Sequence, residues 1–231
     1  MKIINAPSLA NCSFLDMGNQ VKQLVDGKAD WFHIDIMDGH YVPNLCFSVN
    51  IVGELKAAYP QVVTDIHLMV EDASAYIPRL VEKGADYISF HLDAERFARR
   101  LLTNIKSCGK KAGVVINPSQ RIDVLMPVID MVDYVVLMTV EPGYAGQKFM
   151  PESLPRLAEL VELRKRSENP FLISIDGGVD MEHAAKCANL GAEIYVTGIF
   201  TVFNQPEGLE QACLTFKDKV MAGARSLAQS S

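Results

Sequence analysis

A histidine and an aspartate lie two residues apart in His33-Ile34-Asp35, inside an apolar run. If the run is a strand, period 2 puts both side chains on one face. A second run ends in Asp65-Ile66-His67-Leu68-Met69, so His67 can share that inner face. A third ends at Asp176, followed by Gly177-Gly178. Two imidazoles and two carboxylates can therefore converge at one rim. Two nitrogen and two oxygen ligands suit Zn²⁺, Fe²⁺, Mn²⁺ or Co²⁺ better than Mg²⁺ or Ca²⁺. A single strand histidine is more often a hydrogen-bonded core residue. Asp35 tips the balance, because an acid between Ile34 and Ile36 is costly to bury without a partner. The set predicts a metal or acid–base site.

Small residues recur nearby. Glu141-Pro142-Gly143-Tyr144-Ala145-Gly146-Gln147 follows one β-rich run, Gly177-Gly178-Val179 a second, and Gly198 ends a third. Loops of this kind let main-chain N–H groups approach an anion closely, and a helix N-terminus adds a favourable dipole. Three in succession point to a phosphorylated ligand.

These residues need a scaffold. Eight β-rich runs span the chain: Ile3–Ala6, Trp31–Met37, Val62–Met69, Tyr87–Leu92, Ala112–Asn117, Tyr134–Val140, Phe171–Asp176 and Ile194–Gly198. Helical stripes lie between them at Val21/Leu24/Val25, Ile51/Val52/Leu55, Tyr76/Ile77/Leu80/Val81 and Leu154/Leu157/Leu160/Val161/Leu163. Lys28-Ala29-Asp30, Gly84-Ala85-Asp86 and Gly191-Ala192-Glu193 form a weak repeat, each just before a strand. In it a small residue ends a helix and the acid turns the chain inward. Strand–helix alternation with eight strands predicts a single-domain α/β (β/α)8 TIM barrel over residues 1–225, with a frayed tail over 226–231. Barrel enzymes carry their chemistry at the C-terminal strand ends, and the late loops are the usual phosphate site. An open doubly wound sheet is the alternative, but Pro7-Ser8-Leu9-Ala10-Asn11 is not its Gly-rich fingerprint.

Composition bounds the partners. The net charge of −6 argues against nucleic acid and anionic membranes, which call for a basic surface. No apolar run approaches the roughly 18 residues of a membrane span. The N-terminal stretch lacks a signal-peptide apolar region. Five cysteines without a CxxC pair suggest a reducing, cytoplasmic home.

The longer motifs resemble those of the ribulose-phosphate 3-epimerase family. They are His33 through Asn44 (HIDIMDGHYVPN), His67-Leu68-Met69-Val70, Met138 through Phe149 (MTVEPGYAGQKF) and Asp176-Gly177-Gly178-Val179, in that order. The resemblance runs from Pro7-Ser8 to about Phe203. It implies a phosphorylated ketose substrate and one divalent metal (Zn, Fe, Mn or Co) per subunit, bound by His33, Asp35, His67 and Asp176. Asp35 and Asp176 would be the acid–base pair. Ser8 and His67 would touch substrate, and Met37, Met69 and Met138 would line the reacting centre. Gly143, Tyr144, Ala145, Gly146, Gly177, Gly178 and Gly198 would hold the phosphate. Members of this family commonly form dimers or hexamers. Close relatives act on allulose 6-phosphate in place of ribulose 5-phosphate.

The chain departs from the family pattern in three places. Ile199 stands where a Ser or Thr usually follows Gly198, and Thr197 and Thr201 are the nearby hydroxyls that could compensate. Tyr144-Ala145 replaces Phe-Gly, and His91-Leu92-Asp93 lacks a proline. Two other readings stay open. A decarboxylase-type barrel would need an Asp-x-Lys-x-x-Asp cluster, and the lysine is missing before Asp38. A non-catalytic sugar-phosphate sensor would suit Ile199 but not an intact acid–base pair. His91 is expected to order the rim, Asp38 and His40 to structure a loop, and Trp31, His183 and the cysteines to be structural.

Overall fold

A computed structural model of the chain describes residues 2–229. Its eight strands fall within two residues of the expected runs at either end. They are β1 (Ile4–Pro7), β2 (Trp31–Met37), β3 (Val63–Met69), β4 (Tyr87–His91), β5 (Lys111–Ile116), β6 (Tyr134–Met138), β7 (Leu172–Asp176) and β8 (Ile194–Thr197). All neighbouring pairs are parallel, in the order β1-β8-β7-β6-β5-β4-β3-β2. The ends of this sheet meet at the Ser8–His33 bridge, which closes the barrel and excludes the open sheet. The helices are α1 (Met17–Asp26), α2 (Asn50–Ala58), α3 (Ile77–Glu82), α4 (Ala98–Ser107), α5 (Ser153–Arg166), α6 (Met181–Leu190) and α7 (Leu209–Gln229).

Two details differ from expectation. Only a single 3₁₀ turn, Ile122–Leu125, lies between β5 and β6, because Pro118 and Pro127 bracket the segment and neither fits a helix interior. The expected frayed tail is helical over residues 226–229, where α7 runs on to Gln229. Ser230 and Ser231 lie outside the described residues.

The acids of the weak repeat tie neighbouring strands together. Asp30, Asp86 and Glu193 accept the main-chain N–H of Asn5, Thr64 and Ile173 at 2.8, 2.8 and 3.0 Å. Asp133, which the repeat did not reveal, does the same to Ala112 at 2.9 Å. Each acid therefore sits before an even-numbered strand and holds the start of the preceding odd one. Its own N–H donates back to the carbonyl of the same residue. Each also meets a base: Lys217, Lys56, Lys111 or Arg164. The helix-ending residues Gly84 and Gly191 have φ of 88° and 118°, and Lys28 in the same position has 61°. A side chain costs about 1–2 kcal/mol in that region, so Lys28 is tolerated rather than favoured. Asp86→Ala removes one charged bond to Thr64 N, another to Thr64 Oγ1 and the Lys56 pair. It is expected to cost about 1–3 kcal/mol in a urea melt. A loss below about 0.5 kcal/mol, the range of ordinary surface changes, would refute the clamp.

Two apolar clusters follow from strand alternation. Phe32, Ile34 and Ile36 of β2 face outward into the layer between barrel and helices. Trp31, Ile4, Tyr134, Val136 and Ile194 fill the barrel interior. Trp31 stacks on Tyr87 at 4.3 Å, so it is packing, as expected. The remaining inward positions near the C-terminal strand ends combine polar side chains, among them His33, Asp35, His67 and Asp176, with Met37 and Met69.

Candidate active site

Strand register assembles the polar cluster. On β2 and β3, His33 pairs with Asp65 and Asp35 with His67, so acids and imidazoles alternate across the ladder. Asp176, the last residue of β7, joins them from the other side of β1 and β8. His33 Nε2 lies 3.3 Å from Asp35 Oδ1 and 3.5 Å from Asp176 Oδ2. His67 Nδ1 lies 3.3 and 3.2 Å from the same two oxygens. One ligand atom from each of the four residues falls within 4.8 Å of all the others. Both imidazoles are fully buried, yet neither of these nitrogens makes a well-formed hydrogen bond. Buried polar atoms are rarely left so, and four unsaturated donors facing one point fit a divalent cation.

The opposite edges of both imidazoles are satisfied. His33 Nδ1 is 2.8 Å from Asp65 Oδ2, and Tyr134 donates to Asp65 Oδ1 at 2.7 Å. Tyr134 reaches Asp65 across the barrel only because residue 113 is glycine: a Cβ there would sit 2.2 Å from the ring. His67 Nε2 is 2.8 Å from His91 Nε2. Ser8, expected to touch substrate, donates to Asp35 Oδ2 at 2.7 Å and so anchors that carboxylate.

Electrostatics follow from this packing. Burial opposes charge on His33 and His67, but the surrounding aspartates outweigh it and raise both. Burial works to raise Asp35 and Asp176, and the two imidazoles overcome it and hold both carboxyls low. His91 is lowered, first by burial and then by the charge of His67.

Above the cluster opens a cleft at the C-terminal rim of the barrel. Ser8, Asp35, Met37, His67, Met69, Met138 and Asp176 line its floor and walls. Gly143, Tyr144, Ala145, Gly146, Gly177, Gly178, Gly198 and Ile199 line the rest. His33 alone of the expected set sits beneath it. The glycines are needed where backbones crowd. A Cβ on Gly178 (φ 61°) would meet Phe149 N at 2.4 Å, and one on Gly177 (φ 120°) would meet Val140 Cγ2 at 2.4 Å. Among the described residues no hydrogen bond uses the main-chain N–H of Gly178, Val179, Ile199 or Phe200. No lysine or arginine lines the cleft. An anion there would meet main-chain N–H groups rather than side-chain cations.

The departures from the family pattern now have structural meaning. Ala145 does not have a positive φ, so it needs no glycine. Thr197 donates to Asn5 Oδ1 at 2.7 Å, and Thr201 Oγ1 is engaged with Gly198 N at 3.1 Å. Neither hydroxyl is free to replace the one missing at Ile199. Asp93 accepts from Tyr41 at 2.8 Å and from Asn117 at 2.9 Å, which orders the rim where a proline was lacking. Asp38 accepts the N–H groups of His40, Tyr41 and Glu71 and so stitches two loops, as expected for a loop residue. His183 stacks on Phe149 at 4.2 Å, and the five cysteines are unpaired. Sequence reasoning missed Tyr134 and Gly113. It also passed over Asp65, although Asp65-Ile66-His67 mirrors His33-Ile34-Asp35.

A closed parallel barrel with a two-histidine, two-aspartate centre under a glycine-lined cleft defines the class: a (β/α)8 barrel built for small-molecule chemistry at its C-terminal rim. The chain belongs to the ribulose-phosphate 3-epimerase family, whose model ("Ribulose-phosphate 3 epimerase family") matches residues 4–203. It is 40% identical over 200 residues to the ribulose-phosphate 3-epimerase of Aquifex aeolicus (strain VF5), covering 86% of this chain and 88% of that one. It is 40% identical over 194 residues to the enzyme of the same name from Bacillus subtilis (strain 168), covering 84% and 89%. Membership makes the chain an isomerase, an epimerase acting on carbohydrates. Among solved structures, 3-keto-L-gulonate-6-phosphate decarboxylase from Vibrio cholerae O1 biovar El Tor superposes with a TM-score of 0.72 at 12% identity. That match covers 96% of this chain and 99% of the decarboxylase, and at this identity it bears on the fold alone. No helix among the described residues is long and apolar enough to cross a membrane.

Proposed function

We propose that this chain is a metal-dependent ketose-phosphate 3-epimerase that interconverts D-ribulose 5-phosphate and D-xylulose 5-phosphate. The observation that carries the reading is the meeting of Asp35 and Asp176, from separate strands, with two buried imidazoles at the floor of the cleft. Inversion at C3 needs a proton removed from one face and another delivered to the opposite face. One aspartate must be ionised to take the C3 proton and the other protonated to give one; the imidazoles hold both carboxyls low in the metal-free centre, so the protonated partner requires that bound substrate and cation change that balance. The roles exchange in the reverse direction. A divalent cation (Zn, Fe, Mn or Co) held by His33, Asp35, His67 and Asp176 would supply Lewis-acid stabilisation of the negative charge that develops on the substrate oxygens. Met37, Met69 and Met138 keep the reacting centre apolar and dry. Gly177, Gly178 and Gly198, with the loop from Gly143 to Gly146, receive the phosphate.

The phosphate end yields a prediction. Ile199→Ser restores a hydroxyl at the cleft wall, and one hydrogen bond to a charged group is worth about 1.5–3 kcal/mol. The variant is expected to lower KM and the inhibition constant of inorganic phosphate about 10-fold or more. Unchanged constants would place the phosphate elsewhere.

The test of the function is C3 proton exchange in D₂O, followed by NMR, on ribulose 5-phosphate and allulose 6-phosphate side by side. The protein is used with each of the four metals. Faster exchange of the pentulose supports the proposal, and faster exchange of the hexulose moves the substrate to allulose 6-phosphate. No exchange of either overturns the epimerase reading in favour of a sugar-phosphate sensor. Release of CO₂ from a phosphorylated keto acid would instead favour the decarboxylase reading. Phe14, Leu15, Leu45, Phe97 and Tyr144 stand exposed on loops that follow strands, surface that self-association would cover. We take the working form to be a cytoplasmic homo-oligomer, a dimer or hexamer, which sedimentation would read.

A further inference from the structure

His91 is fully buried at the end of β4 and meets the centre at His67. Its ring lies at 24° to that of His67, with centroids 5.0 Å apart and the two Nε2 atoms at 2.8 Å. At that separation one nitrogen must hold a hydrogen and the other must accept it. We propose that His91 is a positioning residue of the metal centre: its Nε2 accepts the Nε2–H of His67 and fixes the tautomer whose Nδ1 lone pair faces the cation site. This rests on the metal reading of the site given above.

Two oxygens press for the opposite tautomer. Asp35 and Asp176 lie 3.3 and 3.2 Å from His67 Nδ1 and would draw the hydrogen onto it, where it would block a cation. His91 supplies the competing acceptor on the far edge of the ring. Its own orientation is set from outside. Asn117 commits its Nδ2 to Tyr41 and Asp93 at 2.7 and 2.9 Å, while its Oδ1 and the Nδ1 of His91 are both buried without a well-formed hydrogen bond. A hydrogen on His91 Nδ1, with the lone pair on Nε2, is the tautomer the proposal requires, and Asn117 Oδ1 is the acceptor near that edge. The Tyr41 ring lies 4.6 Å away and is itself held by Asp93, so the His91 ring is boxed in. The two imidazoles of the centre are thus backed differently: His33 by the carboxylate of Asp65, His67 by a neutral ring. Groups in this outer position orient metal ligands, and their loss typically lowers metal affinity about 10–100-fold.

The experiment compares wild type, His91→Leu and His91→Gln as purified full-length protein. Glutamine keeps an acceptor oxygen near the place of Nε2, and leucine has none. Zn²⁺ affinity is read by chelator competition, and the Co²⁺-loaded forms by their visible spectra. The Zn²⁺-loaded wild type carries ¹⁵N-histidine; five histidines in the chain keep its spectrum tractable. His91→Leu is expected to bind Zn²⁺ about 10–100-fold more weakly with an altered Co²⁺ spectrum, and His91→Gln to recover most of the loss. Matching metal-free circular dichroism of all three separates this from misfolding. If His91→Leu does not fold, the wild-type NMR decides: His67 must show Nε2 protonated and Nδ1 metal-bound. A proton on His67 Nδ1, or unchanged affinity and spectrum in His91→Leu, overturns the proposal and leaves the metal site standing. Failure of wild type to bind any of the metals overturns the metal reading, and this inference with it.

Discussion

Asp176→Asn is expected to lower net epimerisation about 10²–10⁴-fold, the usual worth of a positioned acid or base, while one epimer still exchanges its C3 hydrogen. The amide keeps the shape of the carboxyl but cannot take a proton. Asp35 remains, tethered by Ser8 at 2.7 Å, and can still work on the face it serves. Asp35→Asn should show the mirror result, with exchange confined to the other epimer. Deuterium uptake from D₂O into each epimer separately reads both outcomes. Metal content must be measured alongside, because each aspartate is also a proposed ligand. Exchange of both epimers by either variant would overturn the two-base scheme. Loss of all exchange together with loss of metal would show only that the aspartate holds the cation, and Asp→Glu variants reloaded at high metal would then separate ligation from proton transfer.

Removing the metal is expected to abolish activity, and its return to be strongly pH-dependent. An imidazole must be neutral to coordinate, and the metal-free centre favours the charged form of both His33 and His67. At neutral pH a cation must therefore displace protons. Below the raised histidine values, apparent affinity should climb about tenfold per pH unit for each proton displaced, and above them it should level off. Calorimetric titration in buffers of different ionisation enthalpy counts the protons directly. No release at pH 7 would show that the imidazoles are already neutral.

Stability of the metal-free protein follows the same shifts with a definite sign. The raised histidines contribute stability that is present below about pH 6.5 and is lost as pH rises through their folded values. The lowered aspartates contribute stability that is present above the ordinary carboxylate range and is lost as pH falls through theirs. Metal-free protein should thus lose midpoint temperature on the alkaline side, where metal-loaded protein does not.

Much of this was legible in the amino-acid order because it depends on local periodicity. Apolar β-branched runs bounded by turn residues located all eight strands, and period 2 put His33 and Asp35 on one face. The helices were less legible. The stripes found α1, α2, α3 and α5, but α4, α6 and α7 went unmarked although Leu101, Leu102 and Ile105 of α4 are buried. No stripe marked the gap between β5 and β6, and the prolines there agree with the absence of an α-helix among the described residues.

What the sequence determined by itself is the set of strands, the barrel they imply, and the four side chains at its rim. These follow from each residue's immediate neighbours, and the family motifs reinforce them. The tertiary structure alone decided who backs whom. The stagger between strands brings His91 against His67, aligns Asp65 with His33, and sends Tyr134 across the space left by Gly113. It also turned four acids into strand clamps and spent the hydroxyls of Thr197 and Thr201 away from the cleft. Periodicity says which face a side chain takes, but a buried hydrogen bond needs a partner within about 3 Å, and that partner is set by register between distant strands.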